Sequence, residues 1–138
     1  MIKYLGSKRV LVPVLGEIMA AVGASTALDL FTGTTRVAQE FKRRGARVTA
    51  VDTSSYSEVL ANCYITTDAT AVDQDELADA ITELNALPGR PGYFTETFCE
   101  KARYFQPKNG ARIDAIRERL ERDFRRSPLF SVLMTALM

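Results

Sequence analysis

The sequence predicts an α/β part over residues 1–67 followed by a helical segment over residues 68–138. Three observations carry this reading. A strand–helix–strand pattern runs from Thr26 to Asp52, strand-like runs stop after about residue 66, and Leu87-Pro-Gly-Arg-Pro-Gly92 concentrates breakers that no helix or strand continues through. Residues 87–92 are therefore the clearest hinge in the sequence.

Pro13 suits the first position of a helix that places Leu15, Ile18, Met19 and Val22 on one face and stops at Gly23. Thr26-Ala-Leu-Asp-Leu30 is a short apolar strand, and Phe31-Thr-Gly-Thr-Thr35 is the tight loop that hands it to a helix over Arg36–Arg44, with Val37 and Phe41 one turn apart. Gly45 closes that helix. Arg47-Val-Thr-Ala-Val51 is β-branched enough for a second strand, and Asp52 follows it directly. Ser55 with Glu58 three residues later has the spacing of a capping box, opening a helix with Val59, Leu60 and Cys63 inward.

Asp73 and Glu76 can cap the next helix, with Leu77, Ala80, Ile81 and Leu84 inward. Beyond the hinge, Thr95–Phe105 reads as helical and Gln106-Pro-Lys-Asn-Gly110 as a turn. Ile113, Ile116, Leu120 and Phe124 then mark one side of a helix whose other side is largely basic. Tyr93, Phe94, Phe98, Tyr104 and Phe105 are expected in the core. From Pro128 an apolar helix runs to Met138 without a capping residue, as expected of a fragment.

Composition narrows the chemistry. With 46% apolar and 25% charged residues the chain can bury a core. No apolar run reaches membrane-helix length, and the amino terminus lacks a leader pattern. Cys63 and Cys99 match no metal-ligand spacing and read as reduced thiols, which suits the cytoplasm. The absence of histidine argues against a metalloenzyme or a serine-triad hydrolase. The net charge of +1 hides a division: residues 1–67 carry eight Lys/Arg and five Asp/Glu, residues 68–100 one and eight, and residues 101–126 nine and four. The last segment is basic enough to meet phosphates.

The loop Phe31-Thr-Gly-Thr-Thr35 sits where a strand-to-helix turn lets backbone approach a ligand and offers free N–H groups to an anion. Asp52, nineteen positions after Gly33, can accept hydrogen bonds from both hydroxyls of a ribose; as a cap for the following helix it would be structural. Asp29, in the strand before the loop, would orient the loop backbone or an ammonium group of the ligand, and as a buried acid it needs a partner. Gly33 alone falls short of the three glycines of a dinucleotide fingerprint, and a nicotinamide-dinucleotide-binding fragment, which the same loop and Asp52 would permit, is the rival reading.

Lys3-Tyr4-Leu5-Gly6-Ser7-Lys8, Asp29-Leu-Phe-Thr-Gly33 and Val51-Asp52 follow the order and spacing of three cofactor motifs, and in this the chain resembles the alpha-class DNA adenine methyltransferases. The stretch from Gly92 to Ile116 is also similar to one subgroup of them. The resemblance implies a partial Rossmann-like, S-adenosylmethionine-dependent methyltransferase fold. Tyr4 would pack near the cofactor, Ser7 and Lys8 would hold its carboxylate, Phe31 to Thr35, with Gly33 and Thr34 between them, would cradle its methionine part beside Asp29, and Asp52 would bind its ribose. Thr35 stands where family members often have a second glycine. The partner implied is double-stranded DNA, with Lys101, Arg103, Lys108 and Arg112 facing its phosphates. The family's catalytic signature, Asp or Asn followed by two prolines and an aromatic residue, has no counterpart here because no Pro-Pro pair occurs. The expectation is a cofactor-binding part with no catalytic residue and no metal, belonging to a restriction–modification enzyme and inactive alone. Such a fragment would self-associate through an open sheet edge or an uncovered 129–138 helix. A DNA-binding or assembly module without enzymatic activity is the reading of a different class.

Overall fold

The computed structural model describes residues 10–138, which form two compact units divided between Thr67 and Asp68. Tyr4, Ser7 and Lys8 lie outside the described residues.

The first unit contains α1 (Val12–Ala21), β1 (Thr26–Asp29), α2 (Arg36–Arg43), β2 (Arg47–Ala50) and α3 (Ser55–Ala61), which continues as a π-helical turn over Asn62–Thr66. The two strands are parallel, with Thr26 opposite Arg47 and Asp29 opposite Ala50. The ladder extends past the strand ends: the Arg47 N–H donates to Ser25 O at 2.9 Å and the Val51 N–H to Asp29 O at 2.8 Å. The expected strand–loop–helix–strand unit is therefore present, with Gly23 and Gly45 at positive φ closing α1 and α2.

Helix α2 packs on both strands and on α1. The strand face bearing Ala27, Asp29, Val48 and Ala50 is the better buried, as period 2 requires. The opposite face carries Leu28 and Leu30, 57% and 55% exposed, and Val51. Between α1 and α2, Gly16 leaves room for the Glu40 and Arg44 side chains, and an added Cβ there would stand 2.6 Å from Glu40 Oε1. Glu40 there pairs with Arg43 and Arg44, and Arg44 reaches Glu17 on α1 at 2.7 Å. Hydrogen bonds from Arg43 and then Arg44 hold the Glu40 carboxyl down at about 2. The phase expected for α1 is corrected here: Met19 is buried and Leu15 half-buried, but Ile18 and Val22 are exposed. A helix apolar on most sides gives periodicity little to fix.

The second unit contains α4 (Gln74–Ala86), a π-helical segment over Thr95–Lys101, α5 (Pro107–Arg119) running into a π-helical turn at Leu120–Phe124, and α6 (Phe130–Leu137). Asp73 caps α4 by accepting from the Asp75 and Glu76 N–H groups, as expected. Ala80 and Leu84 are buried, whereas Ile81 is exposed. The turn expected at Gln106–Gly110 is instead the beginning of α5. Gln106 is the N-cap, Pro107 takes the first helical position, and Gly110 is buried where α5 crosses Thr95 and Cys99.

Asp114 joins these elements. Its Oδ2 accepts from the Gly92 N–H, the Thr95 N–H and the Thr95 hydroxyl, and its Oδ1 from the Phe94 N–H, all at 2.7–2.9 Å. The Thr95–Lys101 segment ends with Arg103 at φ 57°, and the Tyr104 N–H folds back to Phe98 O at 2.9 Å. This is a left-handed helix stop made without glycine. The aromatic residues expected in the core are corrected in part: Phe94, half-buried, lies 4.9 Å from half-buried Phe98 and 5.3 Å from Phe105 between ring centroids, while Tyr93, Tyr104 and Phe105 are exposed.

Helix α6 is not left uncovered, contrary to expectation. Leu129, Leu133 and Met134 are buried against α5 and the turn that follows it. No helix among the described residues is long and apolar enough to cross a membrane.

Candidate functional site

The site expected from the sequence lies at the end of the two strands. The β1–α2 loop is fixed from both sides. The Thr32 N–H donates to Val51 O at 3.1 Å, and the Gly33 N–H donates to Asp52 Oδ2 at 2.9 Å. The other carboxylate oxygen, Oδ1, accepts from the Ser54 N–H at 3.0 Å. These backbone donors, Gly33 first and Ser54 next, hold the Asp52 carboxyl below its ordinary value, so it stays ionised. A carboxylate has about four acceptor positions, so the two bonds from Gly33 and Ser54 do not exhaust it.

Asp52, which the sequence left between a ribose acceptor and a helix cap, braces the loop and holds the N–H of Ser54 just ahead of α3. The N-cap of α3 is Ser54, with no side-chain cap of its own, in place of the capping box expected from Ser55 and Glu58. Asp52 also lines an open cleft of about 550 Å3 bounded by Val51, Ser54, Ser57 and Asn62.

Asp29 and Thr32 are buried, and Asp29 Oδ2 and Thr32 Oγ1 have no hydrogen-bond partner among the described residues. A buried carboxylate oxygen left alone costs free energy that an ammonium or hydroxyl donor would recover. Phe31 projects from the loop at 79% exposure, and Thr34 is half-buried. Gly33 is at φ 51° and a Cβ there would meet nothing within 4 Å, so glycine is favoured for its backbone conformation and not for lack of room.

Thr35 differs from its neighbours. It is fully buried, and it holds φ 61°, ψ 11°, a left-handed conformation that costs a β-branched residue about 1–3 kcal/mol. Its N–H donates to Thr32 O at 2.7 Å, and its hydroxyl accepts from Gln39 Nε2 at 2.7 Å. Gln39 carried no expectation from the sequence. The available signal was its spacing of four from Thr35, which stacks the two on one side of α2.

The residues expected to face DNA all lie in the second unit and are exposed. Lys101 is paired with Glu96 at 2.5 Å, and Arg112 donates to Asn85 O at 3.3 Å; Arg103 and Lys108 pair with no described residue. No group of three or more His, Cys, Asp or Glu suited to a metal ion occurs among the described residues. A further cleft of about 740 Å3, between Pro13 on α1 and Arg36, Gln39 and Arg43 on α2, contains neither Asp52 nor a loop residue. The loop's hydrogen bonding and orphaned polar atoms, not cleft size, mark the candidate site.

A strand-end acid braced against a one-glycine loop is an arrangement shared by several nucleoside-binding families, and comparison with known proteins separates them. The chain is 35% identical over 127 residues to the Type II methyltransferase M.NlaIII of Neisseria lactamica, an alignment covering 86% of this chain and 37% of that protein. It therefore spans little more than a third of the relative's length. No solved structure matches it. The sequence profile of the D12 class N6 adenine-specific DNA methyltransferases matches residues 4–137, a span that takes in the loop, Asp52 and the basic 101–126 segment, and the chain belongs to that family.

Proposed function

We propose that this chain is the S-adenosylmethionine-binding part of an enzyme that methylates the exocyclic amine of adenine in double-stranded DNA, and that it acts in the cytoplasm. The observation that carries the reading is the Asp52 carboxylate, ionised, anchored to the loop by the Gly33 N–H and left with acceptor capacity beside an open cleft. A carboxylate at the end of this strand suits the paired hydroxyls of a ribose. Asp29 Oδ2, buried without a partner among the described residues, suits the ammonium of the methionine part, and Phe31, Gly33 and Thr34 offer a surface to the same moiety. Tyr4, Ser7 and Lys8 complete the set through the family motif. When bound, the cofactor supplies a methyl group on a sulfonium centre; the residues named here bind and orient it. The two-stranded parallel sheet is the Rossmann-like element of this fold, and the exposed Leu28, Leu30 and Val51 face is where further layers, or a second copy, would pack. Lys101, Arg103, Lys108 and Arg112 supply positive charge for DNA phosphates.

Calorimetric titration with S-adenosylhomocysteine tests the site. Wild-type binding that falls at least about tenfold in Asp52→Ala supports it, since two charge-assisted hydrogen bonds carry that much. Equal binding by the two proteins, or preference for NADH, would refute it.

A further inference from the structure

The candidate loop holds one residue in a conformation its side chain disfavours, and a second residue is bonded to that side chain. Thr35 is the last loop residue, at the point where the chain turns into α2. A left-handed β-branched residue persists where its surroundings over-determine it, and three hydrogen bonds do so here. Two are made by its backbone, from its own N–H to Thr32 O and to its carbonyl from the Gln39 N–H at 2.8 Å. Any residue at position 35 can make those two. The third, from Gln39 Nε2 to the Thr35 hydroxyl, depends on both side chains and is made where solvent does not reach Thr35. Without the amide the hydroxyl would be a buried polar group with no partner, and rotation of the backbone toward ordinary φ would relieve both defects together. That rotation would displace Thr34 and Gly33, and with Gly33 the N–H that anchors Asp52.

We propose that Gln39 is a positioning residue of the loop, holding Thr35 left-handed through its hydroxyl so that the Gly33 N–H stays on Asp52. The proposal rests on the loop being the cofactor site. It reassigns Thr35 from a ligand contact to a structural pivot, since the fully buried Thr35 side chain offers its oxygen to Gln39. The sequence explains why the amide is needed: a glycine at position 35 would adopt φ 61° unaided, and a threonine does not.

The consequence is a dependence of one position on the other. Q39L keeps the bulk of the side chain and removes the donor. In the wild-type background it is expected to weaken S-adenosylhomocysteine binding about five- to thirtyfold, the loss of one buried hydrogen bond. In the T35G background, where no hydroxyl needs a donor and no strain needs holding, Q39L is expected to change affinity by less than about twofold. A general structural role for Gln39 would lower affinity alike in both backgrounds, and that result would overturn the proposal, as would an unchanged affinity for Q39L alone.

Amide hydrogen exchange of residues 32–36 provides a readout that needs no ligand. Q39L should speed exchange of the Gly33 and Thr35 N–H groups, and should not do so when T35G is also present. If wild-type protein bound no S-adenosylhomocysteine, the proposed function would fail while the exchange measurement still decided the role of Gln39. Exchange unaltered by Q39L would overturn it.

Discussion

Gly110→Ala sets two magnitudes against each other inside α5. Alanine is the better helix former by about 0.8–1 kcal/mol, so propensity alone predicts a more stable protein. The added methyl, however, would stand 2.4 Å from Cys99 Sγ, 3.1 Å from Thr95 Oγ1 and 3.2 Å from Thr95 Cα. Ordinary contact is about 3.5–4.0 Å. Cys99 is buried, and Thr95 is tied to Asp114 through both its N–H and its hydroxyl, so neither can retreat without breaking something else. Overpacking of this kind costs about 1–3 kcal/mol. A sulfur contact as close as 2.4 Å belongs in the upper half of that range, leaving a net loss of about 1–2 kcal/mol. Thermal unfolding followed by circular dichroism should show it as a drop of roughly 4–8 °C for each kcal/mol if the second unit melts on its own. Combining Gly110→Ala with Cys99→Ala removes the worst contact and should recover part of the loss relative to Cys99→Ala alone. A higher melting temperature for Gly110→Ala by itself would show that α5 and the Thr95–Lys101 segment do not cross at this residue, and would refute the reasoning.

Two other outcomes follow from the second unit. Asp114→Ala should cost about 2–4 kcal/mol in denaturant unfolding at neutral pH, because it leaves the Phe94 and Thr95 N–H groups without their acceptor. Burial alone would raise the Asp114 pKa, but hydrogen bonds from Thr95, Phe94 and Gly92 outweigh it and leave it lowered. The stabilisation is thus present above the unfolded value near 3.9 and lost as pH falls through the folded one, so the gap between wild type and variant should narrow only below about pH 4. Arg103→Gly should raise stability by about 0.5–1 kcal/mol, because it removes the left-handed penalty at φ 57° while loosening the unfolded chain slightly. If Arg103 also meets DNA phosphates, the same variant should weaken DNA binding and flatten its salt dependence; a melting temperature that falls would contradict the strain.

What the sequence made legible was local. The βαβ unit follows from the β-branched run Arg47–Val51, a glycine at each helix end and a loop of the right length, and Asp73 announces its cap within three residues. The position of Asp52 beside the loop was legible because the end of a strand fixes where its next residue points. What stayed hidden depends on partners distant in sequence. Nothing near Asp114 marks it as the acceptor for residues 92–95, nineteen to twenty-two positions earlier. Gly110 looks like a breaker until Cys99 is seen against it. Thr35 gives no sign of its handedness, since backbone conformation there is imposed by the β2 end and by Gln39. The expectation that Ile18, Val22 and Ile81 face inward failed for the ordinary reason that an apolar side chain is often left on the surface.

One ammonium governs how the first unit ends. Lys42 Nζ donates to the carbonyls of Tyr64, Ile65 and Thr67, at 3.2, 2.8 and 3.3 Å, using all three of its protons on backbone oxygens that a helix terminus leaves open. Neutral acceptors respond to salt less than a carboxylate would, so the clasp should hold at ionic strengths that loosen surface ion pairs. Fraying that starts in the chain beyond Asp68 must release three bonds to a single side chain before it reaches α3. Because Lys42 sits on α2, the helix that the Gly33–Thr35 turn begins, disorder arriving from downstream is stopped on the same rigid body that carries the loop.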